Sequence, residues 1–124
     1  MEIKNTFACA INCIDGRVQD AVKNYMKSHF NVDYVDMVTE PGPNKILADN
    51  SNISVVENVR KRVEVSVHHH GVKQVAIVGH FSCAGNPPEK DEQIRHLKDA
   101  KKTVESFGFE IEILLLWVEG DWNT

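Results

Sequence analysis

The chain has 124 residues, 42% of them hydrophobic and 26% charged, with 7 Gly and 4 Pro, a balance that excludes disorder and low complexity. Lys plus Arg number 14 against 18 Asp plus Glu, for a net charge of −4; no basic run is long enough to track a phosphate backbone, which excludes nucleic acid as a partner. No stretch approaches the roughly 18 apolar residues of a membrane span, no secretory leader pattern opens the chain, and three cysteines suit reduced thiols, so one domain over residues 1–124, cytoplasmic and away from membranes, is expected.

Residues 5–14 are short, apolar and β-compatible, a buried first strand that Asp15-Gly16 breaks. From Arg17 to Phe30, the apolar residues Val18, Ala21, Val22, Tyr25, Met26 and Phe30 follow the i, i+3, i+4 spacing of an amphipathic helix. Val32 to Val38 reads as a second strand, ended by Glu40-Pro41-Gly42-Pro43. Over Asp49 to His70, propensity and spacing disagree. Valine abounds, but Ile53, Val56, Val59, Val63 and Val67 line one helical stripe opposite Glu57, Arg60, Lys61 and Glu64. The spacing predicts a helix, capped by Asp49 or Ser51 at its start and Gly71 at its end.

Lys73 to Gly79 is the third strand. Asn86-Pro87-Pro88-Glu89 reads as a helix start with proline in the first turn. Ile94, Leu97, Val104 and Phe107 mark that helix's buried face, and Gly108 ends it. Phe109 to Val118 is a very apolar fourth strand, and Gly120 to Thr124 a polar tail. The βαβαβαβ order predicts an α/β, three-layer fold, a parallel sheet flanked by helices through right-handed crossovers. With strand order 2-1-3-4, the switch point where such sheets bind ligands lies between strands one and three. Cys13 and His80 stand at the ends of those two strands.

Two motifs occupy that place: Cys13-Ile14-Asp15-Gly16-Arg17 and His80-Phe81-Ser82-Cys83. Catalytic zinc takes three thiolate or imidazole ligands and keeps a fourth position open. Cys13, His80 and Cys83 are such a set, and a zinc-bound water with a pKa of about 7 would supply hydroxide at neutral pH. Asp15 lies two residues past Cys13, within reach of the fourth position, where it could bind the metal or accept a hydrogen bond from its hydroxide. Arg17 could hold it off through a bidentate pair, so that the two act as a gate.

Other features read more plainly. Cys9 reads as a small buried hydrophobe. His68-His69-His70 reads as a solvated helix end, where cationic imidazoles suit the dipole. A cysteine-phosphatase loop would need Cys-x5-Arg, and neither Cys13 nor Cys83 has that spacing. No Gly-x-Gly-x-x-Gly or Walker loop is present, which disfavours nucleotides.

At these residues the sequence resembles the β-class carbonic anhydrases, which carry Cys-x-Asp-Ser-Arg after the first strand and Gly-His-x-x-Cys-Gly after a later one. Here the motifs stand as Cys13-Ile14-Asp15-Gly16-Arg17 and Gly79-His80-Phe81-Ser82-Cys83-Ala84-Gly85. The likeness extends through Gly71-Val72-Lys73 and the last strand to Trp117. The resemblance implies zinc on Cys13, His80 and Cys83, a catalytic Asp15–Arg17 dyad, and reversible hydration of carbon dioxide to bicarbonate. It also implies a homodimer whose partner helps to wall the cleft. Gly16 replaces the family's Ser, the Arg-Asn-Ala-Gly stretch has only Thr39-Glu40-Pro41-Gly42-Pro43-Asn44 near it, and the segment between Cys83 and the last strand is shortened. A reshaped pocket leaves two alternatives on the same zinc site: hydrolysis of carbonyl sulfide or carbon disulfide, and a non-catalytic zinc-sensing dimer.

Overall fold

The computed structural model describes residues 6–86 and 89–121. Its elements follow the chain as β1 (Phe7–Cys13), a 3-10 turn (Gly16–Val18), α1 (Gln19–Phe30), β2 (Tyr34–Glu40), α2 (Pro43–Asp49), α3 (Ile53–His70), β3 (Gln74–His80), α4 (Lys90–Glu105) and β4 (Glu112–Val118). The sheet is parallel throughout, in the order β2-β1-β3-β4. The two inner strands carry Ala8, Cys9, Ala10, Ile11, Val75, Ala76, Ile77 and Val78, all fully buried. Such unbroken apolar runs are what a sheet covered on both faces requires.

On one face, Val18 of the 3-10 turn and Val22 and Met26 of α1 pack against Ala8, Ala10, Ala76 and Val78. On the other, Val56, Val59 and Val63 of α3, Leu47 of α2 and Leu97, Ala100 and Val104 of α4 meet Cys9, Ile11, Val75 and Ile77. Each large aliphatic side chain so buried contributes roughly 1.5–3 kcal/mol relative to exposure. The strand order and the three layers are those the alternation predicts.

Several local readings differ. The α3 stripe holds at Val56, Val59 and Val63, but Ile53, the first residue of the helix, is 77% exposed. The cap is neither Asp49 nor Ser51. Asn52 Oδ1 accepts from Val55 N at 3.3 Å, while Gly71, at φ +65°, closes the other end as expected. Asp49 instead ends α2, an element absent from the sequence reading, where Pro41 and Pro43 serve only as breakers. Proline at N1 after a left-handed Gly42 starts a helix rather than ending one. The proposed proline start of α4 at Pro87-Pro88 and the tail beyond Asp121 lie outside the described residues.

The ladders stop at different heights. β1 pairs with β2 as far as Cys13↔Glu40, and β3 with β4 as far as His80↔Val118, but β1 and β3 pair only to Ile11↔Ile77. The two central strands therefore part at their carboxyl ends. That opening is the crevice in which doubly wound sheets hold their ligands.

Candidate metal centre

Cys13 closes β1, His80 closes β3, and a tight turn returns the chain to Cys83. Ser82 takes φ +57° within that turn, a left-handed conformation costly for a residue with a Cβ, and it brings Cys83 back beside His80. The sulfurs of Cys13 and Cys83 stand 3.8 Å apart, and the three ligand atoms of Cys13, His80 and Cys83 all lie within 4.8 Å of one another. Two sulfurs about 2.3 Å from one zinc at a tetrahedral angle would be about 3.8 Å apart, so the donor set fits zinc.

His80 Nδ1 lies 2.8 Å from the Phe81 carbonyl. A carbonyl only accepts, so neutral His80 carries its proton on Nδ1 and presents the lone pair of Nε2, the arrangement in which ligating histidines are held. Burial works against the imidazolium, yet the adjoining Cys13 sulfur and Phe81 carbonyl raise the His80 pKa above its ordinary value.

The two thiols share a proton unequally. The hydrogen bond from Cys83 lowers the Cys13 pKa to about 4, against the opposing effect of burial, with help from His80 and from the backbone N–H groups of Gly42 and Asp15. The same bond, with burial, pushes Cys83 up, opposed only in part by the N–H groups of Asn86 and Gly85. The pair thus favours its thiolate on Cys13, and a metal binding here would displace the remaining proton.

Asp15 and Arg17 form the expected pair. Asp15 Oδ2 accepts from Arg17 Nη2 at 2.6 Å, and Oδ1 accepts from Arg17 Nε at 3.0 Å and from its backbone N–H at 2.9 Å. The guanidinium holds the carboxyl down at about pKa 2. Arg17 Nη2 also donates to the Ser82 carbonyl at 3.3 Å, tying this pair to the turn between His80 and Cys83. Gln19 Nε2 donates to the carbonyls of Cys13 (2.7 Å) and Asp15 (3.2 Å), which fixes the departing backbone of β1.

Cys9 is fully buried in mid-strand, and His68, His69 and His70 are exposed at the end of α3. His70 Nδ1 lies 2.6 Å from Asp36 Oδ2 and its ring stacks on Phe7 at 4.0 Å, at the opposite end of the sheet from Cys13. What the sequence reading missed is polar and buried: Asn44, Asn86 and Gln93, all at most 1% exposed, beneath the β3 end. Single amides in a loop and on two helices carry no spacing signal, and only the cluster betrays them.

Residues 3–124 match the family described as "Putative carbonic anhydrase", and the chain belongs to that family. No curated protein matches the chain.

Proposed function

From this membership and geometry, we propose that residues 1–124 form one zinc-binding domain that catalyses the reversible hydration of carbon dioxide to bicarbonate. The observation that carries the reading is the convergence of Cys13, His80 and Cys83 within 4.8 Å of one another, the two sulfurs at tetrahedral spacing, beside a carboxylate that Arg17 holds ready. Zinc on these three residues would supply a Lewis acid able to activate water at neutral pH. The protein's part is orientation. Asp15, kept ionised by Arg17 far below neutral pH, acts only as an acceptor, so it can align a reacting water by taking its hydrogen bond. His80, braced by the Phe81 carbonyl, and Cys13, braced by Gln19, hold the ligand geometry.

Ile14 and Phe81, the residues directly after Cys13 and His80, are 63% and 55% exposed. A second copy of the chain covering this apolar rim would exclude water from the cleft, so the homodimer belongs to the proposal. All three cysteines are free thiols, which the reading needs kept reduced, as in the cytoplasm.

Stopped-flow hydration of carbon dioxide on protein of known zinc content tests the proposal. The expected result is a rate well above buffer that chelation removes and zinc restores. One zinc per chain with no carbon dioxide turnover would overturn this substrate and pass the site to carbonyl sulfide, carbon disulfide or sensing.

A further inference from the structure

Behind the carboxyl end of β3 lies a chain of buried amides whose direction is fixed by its last member. The His80 backbone carbonyl can only accept, so Gln93 turns Nε2 toward it at 3.0 Å. Gln93 Oε1 must then accept, and Asn44 Nδ2 donates to it at 3.3 Å. Asn44 Oδ1 is left to accept from Asn86 Nδ2 at 3.0 Å, and the same Asn86 amide donates to His96 Nδ1, also at 3.0 Å. No other orientation of the three amides satisfies all of these contacts.

The chain bonds the His80 segment directly, closes the Cys83 loop, and reaches Cys13 through the Gly42 loop that opens α2. Gln93 binds the His80 backbone. Asn86 closes the Cys83 loop, where its N–H and that of Gly85 face the Cys83 sulfur. Asn44 follows Gly42, whose N–H faces the Cys13 sulfur. The two loops meet without side chains between them: a Cβ on Gly42 would lie 2.7 Å from the Gly85 carbonyl carbon, and one on Gly85 only 2.5 Å from that of Pro41. Gly79, in turn, leaves room for Asn44, since a Cβ there would lie 3.0 Å from Nδ2.

Buried amides are costly, Asn86 Oδ1 finds no partner among the described residues, and an apolar contact would join α2 to α4 as well. We infer that the Gln93–Asn44–Asn86 chain is the positioning element of the metal centre, locking Cys13, His80 and Cys83 into one arrangement before metal binds. The inference rests on the metal reading above. None of the three amides is a catalytic residue; Gln93 acts through the His80 backbone, Asn86 through the Cys83 loop, and Asn44 by holding the other two.

Asn44→Asp keeps the shape but, as a carboxylate, cannot donate to Gln93, and Gln93→Leu removes the link to His80. Each is expected to weaken zinc binding by roughly 10–100-fold, measured by competition with a chromophoric chelator. The thiolate charge-transfer bands of the cobalt-substituted protein should shift with it. Thr103→Val is the control for packing alone. Thr103 Oγ1 donates to the Leu47 carbonyl at 2.7 Å, another buried bond between α4 and α2 with no connection to a ligand. It should lower the melting temperature while leaving zinc affinity and the cobalt spectrum unchanged.

Affinity that falls equally in Thr103→Val, or stays unchanged in a folded Gln93→Leu or Asn44→Asp, would overturn the inference alone. Should one amide variant fail to fold, the other decides. A wild-type chain that takes up neither zinc nor cobalt would overturn the metal reading and this inference with it.

Discussion

Cys9 and Cys13 lie on one strand, four residues apart, and both are buried, yet they are opposite kinds of cysteine. Burial pushes Cys9 up to about 12, and a neighbouring Ser66 hydroxyl offsets little of it. Cys13 falls to about 4. The difference is position along the ladder. In mid-strand, backbone N–H groups are spent on neighbouring strands, so a buried sulfur meets only side chains. At the strand end the ladder stops, and the N–H groups of Gly42 and Asp15, with the Cys83 thiol, turn toward sulfur. Exposure alone therefore does not separate an inert thiol from a ligand; the fate of the local backbone donors does.

The comparison breaks most completely at Cys83. Cys83→Ala removes a proposed ligand and the hydrogen-bond partner that lowers Cys13 together. The expected outcome is loss of stoichiometric zinc and of all hydration activity. In the metal-free variant, thiolate absorbance should show Cys13 titrating well above 4, back toward its ordinary value. Cys13 still ionised near 4 without Cys83 would mean that the backbone alone sets its state.

Asp15→Asn sharpens the comparison by separating side chain from backbone at the same strand end. The backbone N–H toward Cys13 stays, so zinc should stay. The ion pair with Arg17 goes, and with it the ionised acceptor. Activity should fall roughly 10–100-fold, the worth of one charged hydrogen bond of about 1.5–3 kcal/mol. Because the Asp15 carboxyl is depressed to about 2, its contribution to stability is present above the unfolded carboxyl's pKa and is lost only as pH falls toward 2. Any inflection of the wild-type rate near neutrality must therefore persist in Asp15→Asn; its disappearance would assign it to Asp15.

How much of this was legible in the sequence follows the same division. Strand order, layers and the cluster able to hold a metal are written in periodicity and in residue types whose chemistry is narrow: runs such as Val75 to Val78, or Cys13 with His80 and Cys83. The α2 helix was not legible, because its seven residues are too few for a period and Pro43 marks a stop as readily as a start. Nor was the exposure of Ile53, since a helical stripe says which face is apolar but not how far along the helix that face is covered. The amide chain behind His80 joins Asn44, Asn86 and Gln93 across up to 49 residues of sequence. Asparagine in a loop is ordinarily a turn residue, and only three-dimensional proximity makes it part of the site.

The smallest effect belongs to Cys9, and its direction is the most telling. Cys9→Ala deletes one fully buried sulfur from the α3 side of the sheet and should cost about 1–2 kcal/mol in chemical denaturation, with zinc affinity and activity unchanged. Its pH dependence should invert part of that loss. The folded pKa of about 12 lies above the ordinary value of 9.0, so the Cys9 thiol contributes stability fully below pH 9 and loses it as pH rises toward 12. The wild type should weaken across that alkaline window more steeply than Cys9→Ala, and the two stability curves should converge. Parallel curves would mean that Cys9 ionises no differently when folded, and that the contrast along β1 is one of packing rather than of charge.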